Sequence, residues 1–456
     1  MMRLRIRGLS AVAGSVVLLA SYASAQTHYS IRRLTCVGLD HGVAWDIDNH
    51  GNVVGEMLDA SGVSRPVVWR QAIGEALAVL PGGNRGVAYT ISSEGSSEGI
   101  IGGSSAASNS SASAAIWVLA DSTRVGVDLG TGPNGFGAAV LGIHQNTGVG
   151  YLDDGITGSP AVWLNITGKS SLLQLPLPQG TIAGEAVGLT GLDFIVGHAA
   201  TWSTSKPVVW DISGATPTVT ELPTLGNWGR IVDVNRHRLA IGSSISAATG
   251  YMHLASWQDG AIRDHGHLPG MDCFGESVNE FGDIVGWART NSTPPYTAIV
   301  KLTGSAIVDL NDLLPPQSGW SAVRAHGIND AGYIVGSGVF GGYYEPFLLV
   351  PTKVNLEVQQ PAIAGATNAF SVSGATPMAT VFYAVGLTGG ETQIPGCVAG
   401  LDIAAPLIFA TASASANGDA VITVPVPAFL SQVPLLLQVY DYAGCATSNV
   451  KAVSFL

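Results

Sequence analysis

The sequence predicts an all-β chain, a seven-bladed β-propeller closed by its own N-terminal strand and followed by a small β-sandwich, and three observations predict it. An apolar segment ending in Trp recurs as Arg65-Pro-Val-Val-Trp69, Ser113-Ala-Ala-Ile-Trp117, Ser159-Pro-Ala-Val-Trp163, Lys206-Pro-Val-Val-Trp210 and His253-Leu-Ala-Ser-Trp257. Two weaker copies, Tyr296-Thr-Ala-Ile-Val300 and Glu345-Pro-Phe-Leu-Leu349, extend it to seven, and the final positions step by 48, 46, 47, 47, 43 and 49 residues. A glycine anchor keeps the same beat at Gly55, Gly102, Gly150, Gly197, Gly242, Gly286 and Gly336. The third observation is compositional: 59 glycines and only 11% charged residues suit many short strands joined by tight turns.

Within each repeat the elements follow from local chemistry. Ile47-Asp-Asn-His-Gly-Asn-Val-Val-Gly55, Val278-Asn-Glu-Phe-Gly-Asp-Ile-Val-Gly286 and Ile328-Asn-Asp-Ala-Gly-Tyr-Ile-Val-Gly336 place Asn or Asp three residues before Gly, a turn signal. The β-branched run after each turn reads as a strand, the Trp segment as the next, and Asp128-Leu129, Glu221-Leu222 and Asp309-Leu310 mark a further one. Four short strands in about 45 residues make a propeller blade. The seventh repeat stops near Pro351 without a fourth strand, and Tyr29-Ser-Ile-Arg-Arg-Leu34 supplies one from the other end. Closing the ring that way leaves no exposed end.

The beat stops after Pro351. Val354-Asn-Leu-Glu-Val, Ala369-Phe-Ser-Val, Thr380-Val-Phe-Tyr-Ala, Ala420-Val-Ile-Thr-Val and Leu435-Leu-Leu-Gln-Val alternate as strands of a β-sandwich. The expected division is therefore a leader at 1–25, the propeller at 26–351 and the sandwich-like domain at 352–456. Arg3, Arg5 and Arg7, an apolar run from Leu9 to Ala20 and Ala23-Ser24-Ala25 have the layout of a secretory signal peptide cleaved near Ala25. The run is too short for a membrane span. A secreted, extracellular protein is expected, with the periplasm or the cell surface as the alternatives.

Without the leader's three arginines, 17 basic residues face 32 acidic ones, a balance of −15. Nucleic acid is not expected as a partner. Of the four cysteines, Cys397 and Cys445 fall in one C-terminal module and are the expected disulfide, with Cys36 and Cys273 unpaired.

The order Ala-x-x-Ile-Asn-x-x-Gly-x-Val-Val-Gly, then a segment ending in Phe-Leu-Trp, then Asp-Leu-Gly-Thr, resembles the HAF extracellular repeat of secreted bacterial proteins over about residues 29 to 350. His253-Leu254 keeps only a fragment of the naming triplet. The resemblance implies a secreted repeat protein and carries no catalytic residues. Ser373-Gly-Ala-Thr-Pro-Met-Ala-Thr-Val-Phe-Tyr383 is similar to C-terminal modules of planctomycete secreted proteins.

No nucleophile elbow, metalloprotease helix or phosphate loop appears, so no catalytic residue or cofactor is assigned. Asp46-Ile-Asp48-Asn-His50-Gly51 imitates an EF-hand loop, but Met57 stands where the bidentate Glu belongs. His265-Gly-His267, with Asp264 and Asp272, has the look of a metal site, yet it coincides with an outer strand of the repeat, and no metal is assigned. The recurring tryptophans are read as packing between blades. The residues that open each blade are the candidate ligand-binding set: His41, Arg85, Trp228 and Trp320, with Trp202 on a neighbouring loop. Aromatic faces there would stack on a sugar or hold a peptide. The expected function is non-catalytic binding of an extracellular glycan or protein on one propeller face. A polysaccharide-active hydrolase or lyase and a purely structural matrix protein are the alternatives.

Overall fold

The computed structural model describes residues 28–70, 72–92, 99–107, 111–120, 125–290 and 295–456. The expected leader, residues 1–25, lies outside them. Among the described residues the regular structure is strand apart from three short 3-10 turns. No helix among them is long and apolar enough to cross a membrane.

Residues 29–351 form, among the described residues, seven sheets of four or five strands. Their inner strands are Asp40–Ile47, Gly83–Ile91, Ala138–His144, Ala183–Gly191, Gly229–Val234, Asp272–Val278 and Trp320–Ile328. Each touches the inner strands of its two neighbours, and the seventh touches the first, so the row of sheets returns on itself. The arrangement is propeller-like. The seventh sheet takes its outer strand from the start of the chain: Tyr29–Arg33 pairs antiparallel with Tyr343–Pro351, Tyr29 opposite Pro351 and Arg33 opposite Phe347.

The Asn-x-x-Gly segments fold as turns and also stitch the sheets together. Asn279 Oδ1 accepts from the backbone N–H of Phe281 and Asp283, at 3.0 and 2.9 Å, closing its own turn. Its Nδ2 then donates to the Asn329 carbonyl at 3.2 Å in the next sheet. Asn235 Nδ2 reaches the Asn279 carbonyl at 3.0 Å, and Asn329 Nδ2 reaches the Asp48 carbonyl at 3.0 Å. The junction between the seventh and first sheets is thus bonded like the two before it. At Asp48 the ladder stops, because a carboxylate has no N–H to pass on. It accepts instead from His50 and Asn52, which accounts for the EF-hand likeness as a turn.

The repeated tryptophans are a second stitch. Trp69, Trp117, Trp163, Trp210 and Trp257 are all buried, and four of their indole N–H groups donate to carbonyls in the preceding repeat: Ala78, Leu129, Pro176 and Pro223. Among the described residues Trp69, at the seam, has no such acceptor.

The glycine anchor answers to close approach. A Cβ at Gly55, Gly150, Gly197, Gly242, Gly286 or Gly336 would stand 1.9 to 2.0 Å from a carbonyl oxygen of the inner strand. In the second repeat the residue so placed is Gly103, 2.0 Å from the Val87 oxygen, one position beyond the expected Gly102. The register of that copy is shifted, and two successive glycines concealed it.

Beyond the ring, Asn355–Val358, Thr367–Ser373 and Ala420–Pro425 form one sheet. Thr380–Gly386, Leu407–Ser413 and Pro434–Asp441 form another with two short strands. Both sheets contribute to one buried cluster that includes Leu356, Phe370, Val381, Tyr383, Val439 and Phe455. Cys397 and Cys445 are disulfide-bonded with Cα atoms 5.4 Å apart, while Cys36 and Cys273 carry free thiols. This module grips the closing strand. The fully buried Arg32 donates to Asp402 at 3.2 Å, the Ile31 N–H donates to the same oxygen at 3.2 Å, and Gln438 holds the other oxygen at 2.9 Å. Removing one partner of such a buried pair costs about 3–5 kcal/mol.

Candidate functional site

Every inner strand carries a β-bulge at the same register. At that register the pairing to the second strand skips Trp45, Tyr89, Leu141, Val187, Val232, Glu276 and His326 in turn, and four of the strands skip a second residue elsewhere. An extra residue bends the strand and turns its side chain out of the ladder. All seven line one central cavity of about 370 Å3, running from the bulges to the turns at Asn49, Arg236, Glu280 and Asp330.

The ring of bulge residues is divided. Leu141, Val187 and Val232 give the third to fifth sheets an aliphatic arc, whereas Glu276, His326, Trp45 and Tyr89 give the sixth, seventh, first and second a polar and aromatic one. Trp45 packs on His326 with ring centroids 4.5 Å apart and meets Tyr89 edge-on at 6.0 Å. Glu276 accepts from the Trp287 indole N–H at 2.6 Å. Phe274 stacks on Trp287 at 4.0 Å, and the Arg324 guanidinium lies over the same indole at 4.3 Å.

Electrostatics follow from this burial. Burial pushes the Glu276 carboxyl above its ordinary value, with the Trp287 hydrogen bond, Arg230 and Arg324 pulling the other way. Burial, helped by Arg324, pushes His326 down to about 3, so its imidazole is neutral near neutral pH. His326 is only 7% exposed, and among the described residues neither its Nδ1 nor Trp45 Nε1 has a hydrogen-bond partner. Asp46 and Asp233 face the same cavity, pushed by burial up to about 7 and about 6. Both carboxylates are engaged: Asp46 accepts from Thr90 Oγ1 and the Ile91 N–H, and Asp233 from the Val278 N–H, each bridging to the next sheet.

None of the five candidates read from the sequence lines this cavity. An inner strand runs from one face of the ring to the other, so residues that open it lie at the end away from the turns. His41 Nδ1 donates to the Glu345 carboxylate at 3.1 Å and its ring stacks on Tyr343. Arg85 is exposed, Trp202 is 80% exposed, and Trp228 is half-buried. Trp320 stacks on Phe340 and lines a separate cavity of about 660 Å3 against Gly389, Gly390 and Glu391 of the C-terminal module. The structure does not bring the five together. The histidines of the expected outer strand are also spent locally: His265 on Ser256 at 2.9 Å, His267 on the Leu268 carbonyl at 2.7 Å. Among the described residues no three His, Cys, Asp or Glu side chains group as metal ligands.

The bulge residues were missed, although the sequence holds a signal for them. Each stands three positions before the residue that opens the turn, as Glu276 does before Asn279 and His326 before Asn329.

No family model matches the chain, and no curated protein matches it in sequence. Among solved structures, hydrazine synthase of Kuenenia stuttgartiensis is similar with a TM-score of 0.34 at 9% identity, over 91% of this chain and 68% of that one. A β-fructofuranosidase of Aspergillus kawachii, complexed with glycerol, reaches a TM-score of 0.23 at 9% identity, over 94% of this chain and 89% of that one. At these scores neither likeness bears on activity.

Proposed function

We propose that this is a secreted or cell-surface binding protein of the HAF-repeat kind. In this reading residues 26–351 are a seven-bladed β-propeller and 352–456 a β-sandwich that spaces or attaches it. It holds an extracellular glycan or protein ligand, without chemistry, at the mouth of the central channel. The observation that carries the reading is the repeated bulge: seven sheets each turn a bulged side chain into a single cavity, aliphatic from three sheets and polar or aromatic from four. Cavities of this size with a few convergent polar groups are the usual form of ligand sites.

A polysaccharide-active enzyme is the second reading, favoured by Asp46 and Asp233 titrating near neutral pH in the channel. Their oxygens are already held by amides of the next sheet, which suits a clamp better than a general acid or base. The test is binding of the mature protein to printed glycans and to blotted extracellular proteins, with Val232→Arg to obstruct the channel and Trp228→Ala on the opposite end of the inner strands. The expected result is loss in Val232→Arg and retention in Trp228→Ala. The reverse would overturn the channel as the site, and silence in both formats would leave the structural reading.

A further inference from the structure

We infer that the channel takes a neutral, polyhydroxylated ligand, the end of a saccharide chain. Its hydroxyls meet Glu276, His326 and Trp45, and its C–H face meets Leu141, Val187 and Val232. This rests on the binding reading above and names the chemistry of the same site.

Three features select that chemistry. The first is the supply of unmet hydrogen bonds. The His326 and Trp45 rings pack together in the cavity wall, and among the described residues His326 Nδ1, Trp45 Nε1 and Arg230 Nε, buried behind that wall, have no partners. Buried donors and acceptors left open cost about 1–3 kcal/mol each until something pairs with them. Because His326 is held neutral, its free nitrogen can accept or donate, and the Glu276 carboxyl adds an acceptor. A hydroxyl is the group that satisfies both kinds of partner.

The second feature is charge. Arg230 is paired with Glu185 at 3.2 Å, and Arg324 is spread over Trp287 and Tyr296 at 4.3 and 5.3 Å. Both also lie within electrostatic reach of Glu276. Their charge is answered inside the protein. With Asp46 and Asp233 beside the same cavity, a sulfated or uronate-rich chain finds no spare cation among the described residues of its wall.

The third feature is shape. A cavity of about 370 Å3 is at the small end of ligand pockets and far too narrow for a folded partner surface. The aliphatic arc opposite the polar one suits a ring that is apolar on one face and hydroxylated at its edge. The rim is braced by its own ladder, with Arg236 on Glu280 at 3.1 Å and the Glu280 N–H on Asp330 at 2.9 Å. That favours entry of a chain end over capture of an internal stretch.

The experiment prints neutral, uronate-bearing and sulfated oligosaccharides on one array and probes it with the full mature protein, with Glu276→Gln and with His326→Phe. The phenylalanine keeps the packing on Trp45 while deleting both nitrogens, and the glutamine keeps the shape of the glutamate. The expected result is binding to neutral chains, weakened at least tenfold by each variant and unchanged by Trp228→Ala. A preference for sulfated or uronate chains overturns the inference, and so does neutral-chain binding that both variants leave intact. If His326→Phe fails to fold, Glu276→Gln decides alone. Silence across the array also overturns the inference, whereas the broader binding reading then stands or falls on the blotted proteins.

Discussion

Trp210→Phe should destabilise the protein more than Trp69→Phe, although the two tryptophans hold equivalent places in their repeats and are equally buried. The packing loss is shared. Both changes shrink a large buried ring, at some fraction of the about 3–5 kcal/mol that truncation to Ala costs. What differs is the indole N–H. At Trp210 it donates to the Pro176 carbonyl at 2.7 Å, so phenylalanine removes a bond worth about 1 kcal/mol and strands its acceptor. At Trp69 the N–H is buried without a partner, so phenylalanine removes a penalty of about 1 kcal/mol or more. The expected gap is therefore about 2 kcal/mol. Urea unfolding followed by circular dichroism reads it as a lower midpoint for Trp210→Phe at unchanged slope. Equal midpoints, or a lower one for Trp69→Phe, would refute the claim that these indoles bond one repeat to the next.

Gly242→Ala should cost more than about 3 kcal/mol or prevent folding, since its Cβ would fall 2.0 Å from the Arg230 oxygen, while Gly214→Ala, with nothing nearer than 3.9 Å, should be neutral; thermal melts separate them. Reducing Cys397–Cys445, 48 residues apart in sequence, should destabilise the C-terminal module by about 4 kcal/mol on loop-entropy grounds; differential scanning calorimetry with and without reductant reads the shift. Two channel groups should titrate with opposite signs. Asp46, raised from 3.8 to about 7, keeps a proton in the fold that the unfolded chain has lost, so its contribution improves as pH falls from about 7 towards 4. His326, lowered from 6.5 to about 3, does the reverse: its contribution is full above 6.5 and lost as pH falls towards 3. Stability measured from pH 4 to 8 should therefore show less gain on acidification in Asp46→Asn, and less loss in His326→Phe, than in the unaltered protein.

Much of the ring was legible because it is periodic. The Trp segments and the Asn-x-x-Gly turns are set by local chemistry that repeats, and repetition exposes both the register and the missing fourth strand that Tyr29–Arg33 supplies. The second repeat shows the limit. Gly102 and Gly103 both fit the pattern, and only the distance to the Val87 oxygen tells them apart. The cavity ring was hard to read for the opposite reason: Trp45, Glu276 and His326 share one column of the repeat, three positions before the turn, but do not resemble one another, so their residue types draw no attention to it. Their common property is a bulge, which is a matter of pairing. Trp228 and Trp320 stand where the inner strands begin and the cavity opens where they end, so a reading drawn to aromatic residues settles on the other end of those strands.

The N-terminal strand completes the seventh sheet, the one that meets the first across the seam. Hydrogen–deuterium exchange of the mature protein tests that directly, because amides paired within a closed ring open only with the fold. The amides of Tyr29–Arg33 should exchange as slowly as those of Tyr343–Pro351, to which they pair. Exchange of Tyr29–Arg33 within seconds, like a frayed terminus, while Tyr343–Pro351 stays protected, would contradict the closed ring and the site it encloses.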